Sequence, residues 1–201
     1  MDLFGIDPTT NLLPCDGIVN YHGPVLTLAE ARHYYEALLS TVPWRNDEAV
    51  IYGKHIITAR KVAWYGDANY RYTYSGTTKT ALVWTTELLK LKTLIEAKTG
   101  TRFNSCLLNL YASGEEGMGW HSDDEKSLGR NTTIASLSLG AERKFALRHK
   151  RTDETRSLIL ENGSLLVMRG ITQTHWQHCV PKSKKIKTPR LNLTFRAIVL
   201  Q

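Results

Sequence analysis

From Arg102 to the C-terminus the chain is written in period two, and this pattern constrains the fold more than any other feature. Short runs with strand character cover 104–111, 132–139, 144–148, 157–160, 164–168, 174–180 and 191–200, and turn formers such as Gly140, Asn162-Gly163 and Gly170 separate them. Period two places successive side chains on opposite faces of a strand. Many short strands joined by tight turns argue for a sandwich, jelly roll or barrel.

Two helices are expected ahead of these strands. Thr27-Leu28-Ala29-Glu30 is a capping-box pattern, and Ala31, Tyr34, Leu38 and Leu39 follow at helical spacing, which predicts a helix from Thr27 to about Ser40, before Pro43. A second helix is predicted over about Thr86 to Lys98: Leu88, Leu91 and Ile95 share a face with Leu94 beside them, and Gly100 provides the stop. Both are packing elements that would support one outer face of the strands. Pro8, Pro14, Gly17, Gly23 and Pro24 make 1–25 an irregular N-terminal segment and leave 26–201 as one domain. The expected class is mainly β with flanking helices (α+β).

The 201 residues suffice for one domain with a real core. No window approaches the length of a membrane span, and the first residues lack the basic start and apolar stretch of a signal peptide. Cys15, Cys106 and Cys179 are scattered, with no Cys-x-x-Cys, which argues against structural zinc and fits a reducing compartment. An intracellular monomer without membrane contact is expected, cytoplasmic in a bacterium and nuclear in a eukaryote. Lys and Arg number 26 against 19 acidic residues, a formal charge of +7, which favours a polyanionic partner such as nucleic acid.

Within this frame one small group of residues carries chemistry. His121 and Asp123 are two apart, so on an extended segment they point the same way, and His178 on a distant strand would complete a triad. Two imidazoles and one carboxylate suit ferrous iron and leave positions open for other ligands. His175 competes for the third place, although on a regular strand it faces away from His178. Cys179 likewise points to the opposite face and reads as a small half-buried residue. By itself His-x-Asp is common, and His121 and Asp123 also fit a solvated loop after Gly117 and Gly119. The last strand adds a second signal. Arg190, Asn192, Thr194 and Arg196 share the parity expected to face the core. Four polar residues there need a reason, and an anionic ligand supplies one.

From about residue 62 onward the chain resembles the AlkB family of iron(II)- and 2-oxoglutarate-dependent dioxygenases, and most of all its branch that repairs alkylated bases in duplex DNA. The resemblance is carried, in family order, by Trp64-Tyr65-Gly66-Asp67, Tyr72-Thr73-Tyr74-Ser75-Gly76, Asn109-Leu110-Tyr111, His121-Ser122-Asp123-Asp124-Glu125, Ile134 to Gly140, Phe145 to Lys150, Gly163 to Met168, Thr174-His175-Trp176-Gln177-His178 and Pro189 to Arg196. It implies a double-stranded β-helix (jelly roll) core over about 102–201, with a nucleotide-recognition region over about 45–80. It assigns the metal to His121, Asp123 and His178, and so chooses His178 over His175. It pairs Arg190 with the distal carboxylate of 2-oxoglutarate, adds the Tyr111 hydroxyl there, and places Asn109 and Arg196 toward the chelating end with Asn192 in support. The chain departs from several relatives at Ser122 and Leu110, where they carry basic residues; both positions point away from the ligand face.

On the substrate side the resemblance places Tyr72 and Tyr74 in the base pocket, gives Glu125 a role in positioning the base or a tyrosine, and makes Tyr52, in Ile51-Tyr52-Gly53-Lys54, a wedge for the gap left by a flipped base. Arg60-Lys61 and the run holding Lys182, Lys184 and Lys185 are the clearest basic clusters; the second, between His178 and Arg190, is expected near the pocket mouth with phosphate contact as its functional role. The implied activity is oxidative demethylation of N1-methyladenine and N3-methylcytosine in DNA, with iron(II), 2-oxoglutarate and dioxygen. The alternatives are an RNA or protein demethylase with the same iron chemistry, and a non-catalytic module that binds damaged DNA.

Overall fold

The computed structural model of the chain describes residues 7–51, 54–68, 70–74 and 77–199, with 49–51, 54–55, 71–74 and 77–79 described by backbone alone. Strand β1 (Ile18–Pro24) leads into helix α1 (Leu28–Thr41). Strands β2 (Arg45–Ile51) and β3 (Lys54–Gly66) follow, then the short pair β4 (Arg71–Tyr74) and β5 (Thr77–Thr80), then helix α2 (Thr86–Thr99). The remaining strands are β6 (Ser105–Tyr111), β7 (Met118–His121), β8 (Ile134–Gly140), β9 (Arg143–His149), β10 (Thr155–Leu160) and β11 (Ser164–Arg169). A single helical turn, α3 (Thr172–His175), runs directly into β12 (Trp176–Val180), and β13 (Arg190–Arg196) closes the fold.

The strands form a seven-stranded sheet in the order β1-β11-β8-β13-β6-β3-β2 and a four-stranded sheet in the order β10-β9-β12-β7, with β4 and β5 paired apart. The two larger sheets face each other as a jelly roll. Period two then decides what each layer holds. On β13, Leu191, Leu193 and Phe195 join a core cluster with Leu38 of α1 and Leu88, Leu91 and Ile95 of α2. The alternate residues face the space between the sheets. Part of that space is filled by a second cluster that includes Ile134, Met168, Phe145, Leu147 and Trp176. The rest is an open cleft.

Both helices form where the sequence predicts them. The Thr27 hydroxyl accepts the Glu30 N–H at 3.2 Å while the Glu30 carboxylate accepts the Thr27 N–H at 2.9 Å, a reciprocal cap. Gly100 closes α2 in the left-handed region, at φ 65°. The structure corrects the reading of 1–25 as irregular: its second part is β1, paired with β11 from Ile18↔Arg169 to Pro24↔Ser164. The breakers fall at the strand's margins, with Gly17 just before it and Gly23 at a bulge after Tyr21. The expected strand over 174–180 begins only at Trp176. Thr174 and His175 belong to a turn whose N–H groups both donate to the Ile171 carbonyl, at 3.0 and 3.3 Å. Strand β7 and the five strands before α2 lie outside the predicted set. β7 is interrupted by Gly119, which hides its alternation.

Leu91 is 0% exposed whereas Leu89, on the same helix, is 45% exposed. Leu91→Ala is therefore expected to lower the unfolding free energy by about 2–5 kcal/mol, from lost burial and the cavity left behind. Leu89→Ala is expected to change it by about 0.5 kcal/mol or less. Denaturant titration followed by circular dichroism checks both.

Candidate active site

Strand pairing brings the three metal-ligand candidates together. His121 ends β7 and lies opposite His178 on β12 in the antiparallel register. Their rings are 4.2 Å apart between centroids, and Asp123 follows two residues on in the loop. One ligand atom from each of His121, Asp123 and His178 lies within 4.8 Å of the others, the span of one shared cation. His121 Nδ1 sits 2.9 Å from the Gly119 carbonyl. A carbonyl only accepts, so Nδ1 carries the proton and Nε2 is left as a lone pair beside Asp123. Nε2 is 3.9 Å from the Asp123 carboxylate.

Burial sets the protonation states. Burial pushes His178 down from 6.5 to about 3, with Asp123 opposing and His121 and Arg196 reinforcing, so the ring is neutral at physiological pH. That is the form a metal needs. Burial alone would raise the Asp123 carboxyl, but Arg196 and the two histidines outweigh it and hold it below its usual value. Arg196 donates to Asp123 across 2.8 Å, and its other terminal nitrogen lies 3.9 Å from Glu125.

The polar row predicted on the last strand is present and faces the cleft. In the β6–β13–β8 ladder Arg190 lies between Tyr111 and Gly140, Asn192 between Asn109 and Ser138, and Thr194 between Leu107 and Ser136. Arg190 Nη2 donates to the Ser138 hydroxyl at 2.9 Å, and Asn192 donates to the Ser136 hydroxyl at 2.8 Å. Arg190 Nε and Nη1 are buried without a partner, as are Asn109 Oδ1 and Arg196 Nε. Burial lowers the Arg190 guanidinium to about 10, with Tyr111 opposing and Arg143 adding to the shift. Its charge center lies 5.5 Å from the Tyr111 ring.

These groups line one cleft of about 1360 Å³ between the sheets. It holds His121, Asp123, His178, Asn109, Tyr111, Arg190, Asn192 and Arg196 together, and Glu125 joins them at its wall. His175 stays out of the metal group; its ring stacks on His149 at 6.2 Å.

The other substrate-side expectations fare differently. Arg60 does not form a surface cluster with Lys61. Alternation along β3 turns Arg60 into the cleft, buried and ion-paired with Asp47, with Nη1 donating to Met118 Sδ at 3.2 Å, and turns Lys61 out to solvent. Lys182, Lys184 and Lys185 are exposed, and none lines the cleft. Tyr72 and Tyr74 share a parity on β4, opposite Lys79 and Thr77 of β5, and their side chains lie outside the described residues. Tyr52 also lies outside them.

Four contributors escape the sequence reading. Ser136 and Ser138 carried the same parity signal as Arg190 and Asn192, since they alternate with leucines along β8. Asp47 shows no pattern of its own. Arg143 is an isolated arginine after a turn, yet it is 1% exposed and donates to the carbonyls of Ser113, Glu116 and Pro181 at 3.2, 2.7 and 3.0 Å. It thereby ties the two loops at the Arg190 end of the cleft, and its guanidinium sits 5.7 Å from the Tyr111 ring.

A jelly roll whose facing sheets enclose a His-Asp-His group and a buried unpaired arginine defines a class of metal- and anion-binding enzyme folds. Residues 17–196 match the model of the 2OG-Fe(II) oxygenase superfamily, and the chain belongs to that family. Its relatives carry the AlkB names that the motifs resemble. The chain is 40% identical over 193 residues to the alpha-ketoglutarate-dependent dioxygenase alkB homolog 3 of Bos taurus, covering 92% of this chain and 65% of that protein. It is 42% identical over 158 residues to the human DNA oxidative demethylase ALKBH2, covering 75% and 60% respectively. The chain thus spans somewhat less than two thirds of the curated relatives it matches. The solved structure of OsALKBH1 shares the fold, with a TM-score of 0.63 at 14% identity over 92% of this chain and 98% of that one. Among the described residues no helix is long and apolar enough to cross a membrane.

The low value of His178 carries a stability consequence. Below pH 6.5 the unfolded chain takes up a proton that the folded ring refuses until about pH 3, so stability falls as pH falls through that window. In the metal-free protein the thermal midpoint is expected to drop more steeply between pH 7 and pH 4 for the native chain than for His178→Gln. Scanning calorimetry across that range checks it.

Proposed function

We propose that this protein is an oxidative demethylase of N-alkylated nucleic-acid bases that uses iron(II), 2-oxoglutarate and dioxygen, with N1-methyladenine and N3-methylcytosine in DNA as its substrates. The observation that carries this reading is the buried Arg190, with two unpartnered nitrogens, in the same cleft as the His121–Asp123–His178 group. A guanidinium fork matches a carboxylate. The donor set of two neutral imidazoles and one carboxylate fits ferrous iron. The residues present therefore fit both groups.

Each side chain has a part in this scheme. His121, Asp123 and His178 hold the iron, and the Gly119 carbonyl fixes the ring of His121 for it. Arg190 takes the distal carboxylate of the co-substrate, steadied by Ser138, with the Tyr111 hydroxyl beside it. Asn109 and Arg196 lie toward the metal, and Arg196 also keeps Asp123 ionised. Phe145 stacks on His178 at 5.4 Å and, with Met118 and Val180, keeps that wall of the cleft apolar. When bound, iron and 2-oxoglutarate supply the oxidation: dioxygen hydroxylates the N-methyl group, succinate and carbon dioxide leave, and the N-hydroxymethyl product breaks down to formaldehyde and the unmodified base.

Formaldehyde release is the test, with oligonucleotides carrying N1-methyladenine as duplex DNA, single-stranded DNA and RNA. Release from DNA that requires both iron(II) and 2-oxoglutarate and vanishes in Asp123→Ala is the expected result. Release from RNA alone would move the substrate to RNA, and 2-oxoglutarate turnover without formaldehyde from any oligonucleotide would overturn the base-demethylase reading.

A further inference from the structure

We infer that Gln173 is a positioning residue for the metal centre: its amide holds the backbone of Asp123 in place and so sets the affinity of the His121–Asp123–His178 group for a divalent ion. The inference rests on the metal role proposed for these three residues and assigns a function to a fourth.

Gln173 lies on the helical turn α3 and is 6% exposed. Its side-chain carbonyl accepts the Asp123 N–H at 2.9 Å. That N–H can only donate, so chemistry fixes which end of the amide faces it. The amide nitrogen is then left 3.4 Å from Met168 Sδ, a weak acceptor. The strong contact of this side chain is thus the one to the ligand residue.

Two further links tie the same segments together. The Ser122 hydroxyl donates to the Trp176 carbonyl at 2.9 Å. Lys150 donates to the Gln173 carbonyl at 2.9 Å and lies 3.9 Å from the Asp124 carboxylate. The loop bearing Asp123 is therefore fastened to the stretch that leads, two residues after Trp176, to His178. Ligands from two separate strands are held in mutual register by this seam.

Gln173 does not line the main cleft. It borders a separate cavity of about 420 Å³ on the other side of Asp123, with Asp124, Arg130 and Thr174. It is thus set to act on the metal ligand and not by touching the substrate. Supporting hydrogen bonds of this kind typically change metal affinity by about 10–100-fold.

The test is calorimetric titration of manganese(II) into the metal-free full chain. Gln173→Met keeps the length of the side chain and removes the acceptor. Gln173→Glu keeps an acceptor facing the same N–H. The expected result is a manganese Kd raised by about 10–100-fold in Gln173→Met and retained in Gln173→Glu. Gln173→Asn, polar but one methylene too short to reach, makes the same point if Gln173→Met fails to fold. Native affinity in the folded Met or Asn variant overturns the inference, and so does an equal loss in Gln173→Glu, which would indicate packing alone. If the native chain binds no manganese, or binds it equally in His121→Ala, the metal reading itself falls and the inference with it.

Discussion

A guanidinium at 1% exposure, with one hydroxyl partner and two nitrogens left without one, is the constraint around which this structure is arranged. Burying a charge without a counter-charge is expensive, and proteins tolerate it where a ligand completes the site. The sheets supply what Arg190 needs short of that ligand. β8 contributes Ser138, β6 contributes Tyr111, and Arg143 behind them keeps the flanking loops in place. The helices matter indirectly: by taking the apolar parity of β13 they leave the other parity facing inward. One strand therefore builds the core on one side and the polar row of the cleft on the other.

The His121–Asp123–His178 group follows the opposite electrostatic logic. Asp123 is buried but compensated by Arg196, while His178 is buried and neutral. A divalent ion held by this group would meet one carboxylate and two imidazole nitrogens, with the Arg196 guanidinium in contact with that carboxylate. On the proposed function, that charge would favour the anionic end of a co-substrate whose far end pairs with Arg190. On that proposal, the two sites in one cleft would each stabilise occupation of the other.

The fold was legible in the sequence wherever local pattern and tertiary context agree. Thr27 with Glu30, and Gly100 at the end of α2, predict helix ends because caps are local chemistry. The inward face of β13 is legible because alternation survives for seven residues without a breaker. The candidate metal ligands needed more: spacing joins His121 to Asp123, but only motif resemblance chose His178, since its partner strand is more than fifty residues away. Register supplies the physical reason, placing His178 opposite His121. What remained hidden depends on contacts with no local signature. β1 was masked by glycine and proline at its margins, α3 by a turn four residues long, and Arg143 by partners in two distant loops. Arg60 shows the converse error: adjacency to Lys61 suggested a surface cluster, while strand alternation sends the two to opposite faces.

The central claim is that Arg190 is buried in order to bind a carboxylate beside a metal. The most direct measurement is titration of 2-oxoglutarate into manganese-loaded protein, comparing the native chain with Arg190→Met. The account predicts saturable one-to-one binding to the native chain and binding weakened by at least about 30-fold in the variant, the equivalent of about 2 kcal/mol for a buried charge-assisted pair. It predicts that Arg190→Met folds at least as stably as the native chain without ligand, since it removes an unpaired buried charge. Equal affinity in the two proteins, with both folded, would contradict it.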